Sequence, residues 1–130
     1  MSPPLPLPDD LRRFILTSVP SVPFLEALLL FHAQPERALT VDEVARALYV
    51  PEATAAGIVQ ALQDVHLVAP DPADAQRLLY RPEDETLAAL VDRLAAAYRA
   101  DLIGITKLIH DRVQKNATRF ADAFRLRKGG

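Results

Sequence analysis

The chain has 130 residues, half of them apolar and a quarter charged, with a formal net charge of −2. That suits one globular domain with a modest core and excludes both a disordered chain and two ordinary domains. The absence of cysteine excludes disulfides, thiolate-bound zinc and thiol catalysis and agrees with a cytoplasmic setting.

No apolar stretch approaches a membrane span, and the start, rich in proline and acid, lacks the order of a secretory signal. Alanine and leucine dominate and glycine is scarce, which predicts a mainly helical protein. Residues 1–8 read as an extended, Pro-rich arm. Asp9 is placed to cap a short helix to about Thr17, with Leu11, Phe14 and Ile15 on one face. Pro20 and Pro23 interrupt the chain. The following run, Phe24 to Ala33, has Glu26 as its only formal charge. A helix apolar almost all round packs on several sides, so it is expected to be the floor of the domain.

Thr40-Val41-Asp42-Glu43 has the spacing of a capping box, in which hydroxyl and carboxylate each satisfy the other residue's backbone N–H. Val44, Ala45 and Leu48 then give a short amphipathic helix. Tyr49-Val50-Pro51 breaks it, because the residue before proline is pushed out of helical geometry. Ala55, Ile58, Val59 and Leu62 recur at helical spacing, and His66 stands where a helix often ends in glycine; histidine tolerates left-handed geometry better than most residues. An extended run to Ala69, turn residues Asp71-Pro72-Ala73-Asp74 and a return strand over Arg77–Arg81 complete a hairpin. Two helices joined by a tight turn and followed by a hairpin are the parts of a winged helix-turn-helix.

Beyond the hairpin, Glu83-Asp84-Glu85 puts negative charge at a helix start. Leu87, Leu90, Val91, Leu94, Tyr98, Leu102, Ile105 and Ile109 form one stripe along a long helix, extended by Val113, Phe120 and Phe124. Such spacing matches packing on another helix, including that of a second copy, and Gly104 is the expected place for a bend. The organisation expected is an arm over 1–8, a winged helix over 9–82 and a dimerisation and basic segment over 83–130.

Charge is unevenly spread. Residues 1–98 carry 7 Lys/Arg against 14 Asp/Glu, and residues 99–130 carry 8 against 3. On a helix, Arg112, Lys115 and Arg119 share one side. This basic end could straddle phosphates, lie weakly on an anionic surface, dock in a partner's groove, or be the solvated side of a dimer helix.

Catalytic and metal chemistry finds no constellation. His32, His66 and His110 are scattered, no glycine loop suits a phosphate, and no nucleophile elbow surrounds a serine. The carboxylate clusters at 9–10 and 83–85 precede helices. The expectation is a non-enzyme with no cofactor and no metal. No polar constellation marks a ligand pocket between the central helix and the helices after the hairpin.

The segment 40–82 resembles the winged helix-turn-helix domains of bacterial transcriptional regulators of the MarR type. The likeness rests on Thr40 to Leu48, the Val59-Gln60-Ala61-Leu62 run, Val65-His66-Leu67-Val68 and the strand ending in Tyr80-Arg81. It implies a dimer paired through flanking helices and a second helix that reads the major groove. One departure stands out: that helix has no Lys or Arg and carries Glu52 and Asp64. Only Thr54, Gln60 and Gln63 are suited to bond bases, and bringing carboxylates toward phosphates forfeits counterion release. Arg77 and Arg81 are expected to hold phosphates from the wing, with Arg46, Arg112, Lys115 and Arg119 adding backbone contacts. Two readings remain: a DNA-binding regulator on double-stranded DNA, homodimeric through the C-terminal helix, or a protein-interaction adaptor that does not touch DNA.

Overall fold

The computed structural model describes residues 7–112. The arm up to residue 6, Lys115, Arg119 and the stripe positions Val113, Phe120 and Phe124 lie outside them. The elements are α1 (Asp9–Ser18), α2 (Val22–Ala33), β1 (Leu39–Thr40), α3 (Val41–Leu48), α4 (Glu52–Asp64), β2 (Val68–Asp71), β3 (Asp74–Tyr80) and α5 (Glu85–Ala100). A further helix, α6, runs over 102–112. The fold is mainly helical, with a small three-stranded antiparallel sheet in the order β1-β3-β2.

α2 occupies the centre, as its composition predicts. Phe24, Leu25, Ala27, Leu28 and Phe31 are buried, and the helix packs against α3, α4, α5 and β3. It starts earlier than the prolines suggest. The Ser21 hydroxyl accepts from Phe24 N, and Pro23 lies in the first turn, where its missing N–H costs nothing. α1 is likewise longer than expected. Asp9 is its first helical residue and not its cap, Pro8 precedes it, and the helix runs on to Ser18.

The capping box at α3 forms as read: Glu43 N donates to Thr40 Oγ1 at 3.1 Å, and Thr40 N donates to Glu43 Oε1 at 3.4 Å. Both helices of the motif end in the same way. Tyr49 N donates to Arg46 O and Val50 N to Ala45 O; His66 N donates to Gln63 O and Leu67 N to Leu62 O. This is the Schellman pattern, which requires a left-handed residue after the helix. Tyr49 (φ 56°) and His66 (φ 62°) supply it in place of glycine.

The hairpin pairs Val68 with Tyr80, Ala69 with Leu79 and Pro70 with Leu78, and its register shifts between Pro70 and Asp71. Proline cannot donate to the ladder, and β2 is an edge strand, where that is tolerated. The sequence reading missed β1, which pairs Leu39 with Leu78 and Thr40 with Arg77 on the other side of β3. The wing is therefore joined to the strand that leads directly into α3.

The stripe beyond the wing is carried by two helices. α5 stops at Asp101 (φ −147°, ψ 67°), three residues before the expected bend. Asp101 then caps α6, its Oδ1 accepting from Gly104 N at 3.0 Å. A Cβ on Gly104 would run into that carboxylate. The break turns α6 back on its own chain: Ile105 and Ile109 are buried in the same core as α1 and α2, and Arg112 Nη1 donates to Val19 O at 2.9 Å.

Candidate nucleic-acid interface

α4 buries Ala55, Val59 and Leu62 and turns Glu52, Ala53, Thr54, Ala56, Gly57, Gln60 and Asp64 outward. Of the three residues expected to reach bases, Thr54 and Gln60 are exposed and Gln63 is half-buried. Gln60 Nε2 donates to Asp64 Oδ1 at 3.0 Å, which leaves its carbonyl oxygen open as an acceptor. Ala53 and Ala56 share this open face, which the polar residues alone did not reveal. The surface is small-featured and carries no cation.

The arginines around it are mostly occupied. Arg77 is not directed outward from the wing: its Nη1 donates to Glu43 Oε1 at 2.7 Å and to Ala38 O at 3.3 Å, and its Nε lies 3.5 Å from Asp74 Oδ2. Arg46 pairs with Asp42 at 3.0 Å along α3, and Arg37 lies 3.6 Å from Glu43 Oε2. Arg81 is exposed and has no ion-pair partner among the described residues. Its backbone is held by Arg81 N to Leu67 O at 2.9 Å. Arg112 is engaged with the α1–α2 loop, as described above. Thr54, Gln60 and Gln63 all lie on α4, but Thr54 and Gln63 stand on opposite flanks of its open face, about half a turn apart, while Arg77 is tied to α3 through Glu43 and Arg112 to Val19.

Glu43 is the hub beneath this surface. Partial desolvation pushes its carboxyl up, but the Thr40 N–H, the Arg77 guanidinium and the Thr40 hydroxyl together hold it below its usual range. The same carboxylate that caps α3 thus anchors β3. The capping spacing revealed the first role; the second needs a partner 34 residues away, which spacing cannot show.

A second polar cluster lies behind the wing. His32 Nε2 sits 2.8 Å from Asp92 Oδ1, and the Tyr80 ring stands edge-on to His32 at 5.5 Å between centroids. The Tyr80 hydroxyl is buried without a hydrogen-bond partner, and burial, with the charge of Asp92, pushes it up to about 12. His32 is thus not an isolated surface residue; it joins α2 to α5 and to the end of β3. Beside it an open pocket of about 410 Å³ is lined by Leu29, His32, Ala33, Ala95 and Arg99. This gives the α2–α5 crevice two polar groups that the sequence pattern did not single out. Among the described residues no three His, Asp or Glu side chains are grouped to hold a metal ion.

No protein-family model matches the chain, and no curated protein matches its sequence. Its fold has clear counterparts. A DNA complex of MepR from S. aureus superposes with a TM-score of 0.50 at 15% identity, over 90% of this chain and 86% of that one. A single-substitution variant of S. aureus MepR gives 0.52 at 14% identity over 88% of each chain. The adhesin competence repressor AdcR from Streptococcus pyogenes gives 0.51 at 17%, over 94% and 95%. At these identities the likeness is one of fold: a winged helix with flanking helices, shared over nearly the whole of each chain.

Proposed function

We propose that this chain, a winged helix of the MarR type, is a DNA-binding transcriptional regulator of the bacterial kind, working in the cytoplasm as a homodimer. The observation that carries the reading is the open face of α4, presented beside a wing tied to α3 through Arg77 and Glu43. In this reading Thr54, Gln60 and Gln63 meet base edges, and Arg81 holds a phosphate from the wing. Arg46 can join it by giving up Asp42, since an exposed i,i+4 pair is worth little. Lys115 and Arg119 add phosphate contacts from the basic end. Arg77 and Arg112 act from within the fold. The likeness to a DNA-bound MepR supports the reading by fold alone.

Fluorescence anisotropy on a pool of short duplexes tests it. Binding should weaken steeply with salt, with a slope of about 0.9 per phosphate neutralised. No binding at low salt rejects the proposal.

A second reading, a protein-interaction adaptor, draws on one specific observation. Residues 40–82 carry three arginines against six carboxylates, and of the three only Arg81 is without an ion pair among the described residues. A stable protein partner that survives nuclease treatment, together with indifference to duplex, would favour this alternative.

A further inference from the structure

Tyr49 is the most exposed large hydrophobic side chain of the described residues, at 94%, and it stands in the left-handed position that ends α3. Glycine suits that position best, since it alone carries no Cβ penalty there. Nothing among the described residues uses the ring, so their packing gains nothing from tyrosine over glycine at this point. Strain held at an exposed position, with no internal contact to offset it, points to an external use. The residue lies in the turn three positions before the start of α4, Glu52. In a helix-turn-helix the first residues of the second helix are those nearest the bases, so the turn before it borders the groove wall.

Resting on the DNA-binding reading, we propose that Tyr49 contacts the sugar–phosphate edge of the duplex at the mouth of α4. Its hydroxyl donates to a phosphate oxygen, and its ring lies against the adjoining deoxyribose. An uncharged donor suits a surface whose arginines are mostly paired, and tyrosine is among the side chains that hold phosphates without reading sequence.

The test compares the wild-type chain with Tyr49→Gly and His66→Gly on one duplex. Both variants replace a left-handed non-glycine residue, so both should keep or raise the thermal midpoint. Tyr49→Gly alone should bind about ten-fold more weakly, the worth of one hydrogen bond to a charged group, with the salt slope unchanged because no cation is lost. Nitration by tetranitromethane, mapped by peptide mass, should mark Tyr49 in the free chain and spare it in the complex. Equal affinity of Tyr49→Gly and wild type, or nitration of Tyr49 undiminished by duplex, overturns the contact while leaving the DNA reading intact. A wild-type chain that ignores duplex overturns both.

Discussion

Arg77 and Arg81 lie four residues apart, yet their surroundings assign them different work. Arg77 is held by Glu43, Ala38 and Asp74, whereas Arg81 is open to solvent. Arg81→Ala should leave the thermal midpoint almost unchanged and reduce the salt slope of duplex binding by about one. Arg77→Ala should lower the midpoint and loosen the wing. Thr40→Ala removes the hydroxyl half of the capping box and should cost about 1 kcal/mol in chemical denaturation. A pH effect follows from Asp10, whose two oxygens receive the Arg93 guanidinium at 2.7 and 2.8 Å. That bond, foremost, holds its carboxyl down at about 2. Its contribution is therefore complete above the ordinary carboxylate range near 4 and is lost as pH falls through about 2. The difference in thermal midpoint between wild type and Asp10→Asn should narrow on acidification from pH 5 to pH 2.

The α5–α6 junction carries the clearest lesson at the level of elements. Alanine normally stabilises a helix over glycine, but at residue 104 it would displace the carboxylate that caps α6. Gly104→Ala should thus be near neutral alone and stabilising by about 0.5–1 kcal/mol once Asp101→Ala has removed the cap, a coupling that a double-mutant cycle reads directly. Gly57, by contrast, meets nothing within 4 Å, so Gly57→Ala should stabilise α4 by about 0.5–1 kcal/mol. What was legible in the sequence follows the same division. The capping box, the central helix and the hairpin were readable because their determinants lie within a few residues of one another. Gly104 marked a bend close by, but not a full break at Asp101, because the stripe from Leu87 to Ile109 keeps helical spacing across it. Tertiary contact with Val19 and the α1–α2 core decides that α6 turns back. β1 was hidden for a related reason: two residues become a strand only through partners at 77 and 78.

The molecule as a whole is built on α2, and Leu28→Ala, which empties a fully buried site, should cost about 2–5 kcal/mol. Its outer helices show how far a hydrophobic stripe can mislead about assembly. Val91, Leu94, Ile105 and Ile109, which matched a dimer seam, are buried within one chain. Among the described residues, Leu102 and Ile103, 53% and 78% exposed, are the large apolar ones still open at that end. Ile103→Asp should shift the proposed dimer toward monomer in sedimentation velocity without lowering the thermal midpoint; an unchanged dimer places the interface elsewhere. The candidate surface was legible in its residue types but not in their pairing, since only the folded chain shows Arg77 bound to Glu43. The pairing of β3 with β1 on one side and β2 on the other has a mechanical consequence. Residues 39–80 leave and re-enter a single sheet, so α3 and α4 are clasped in a loop closed at its base. Amide hydrogens across that loop should exchange in one cooperative opening, later than those of α6, and a wing torn free would unlatch α4 with it.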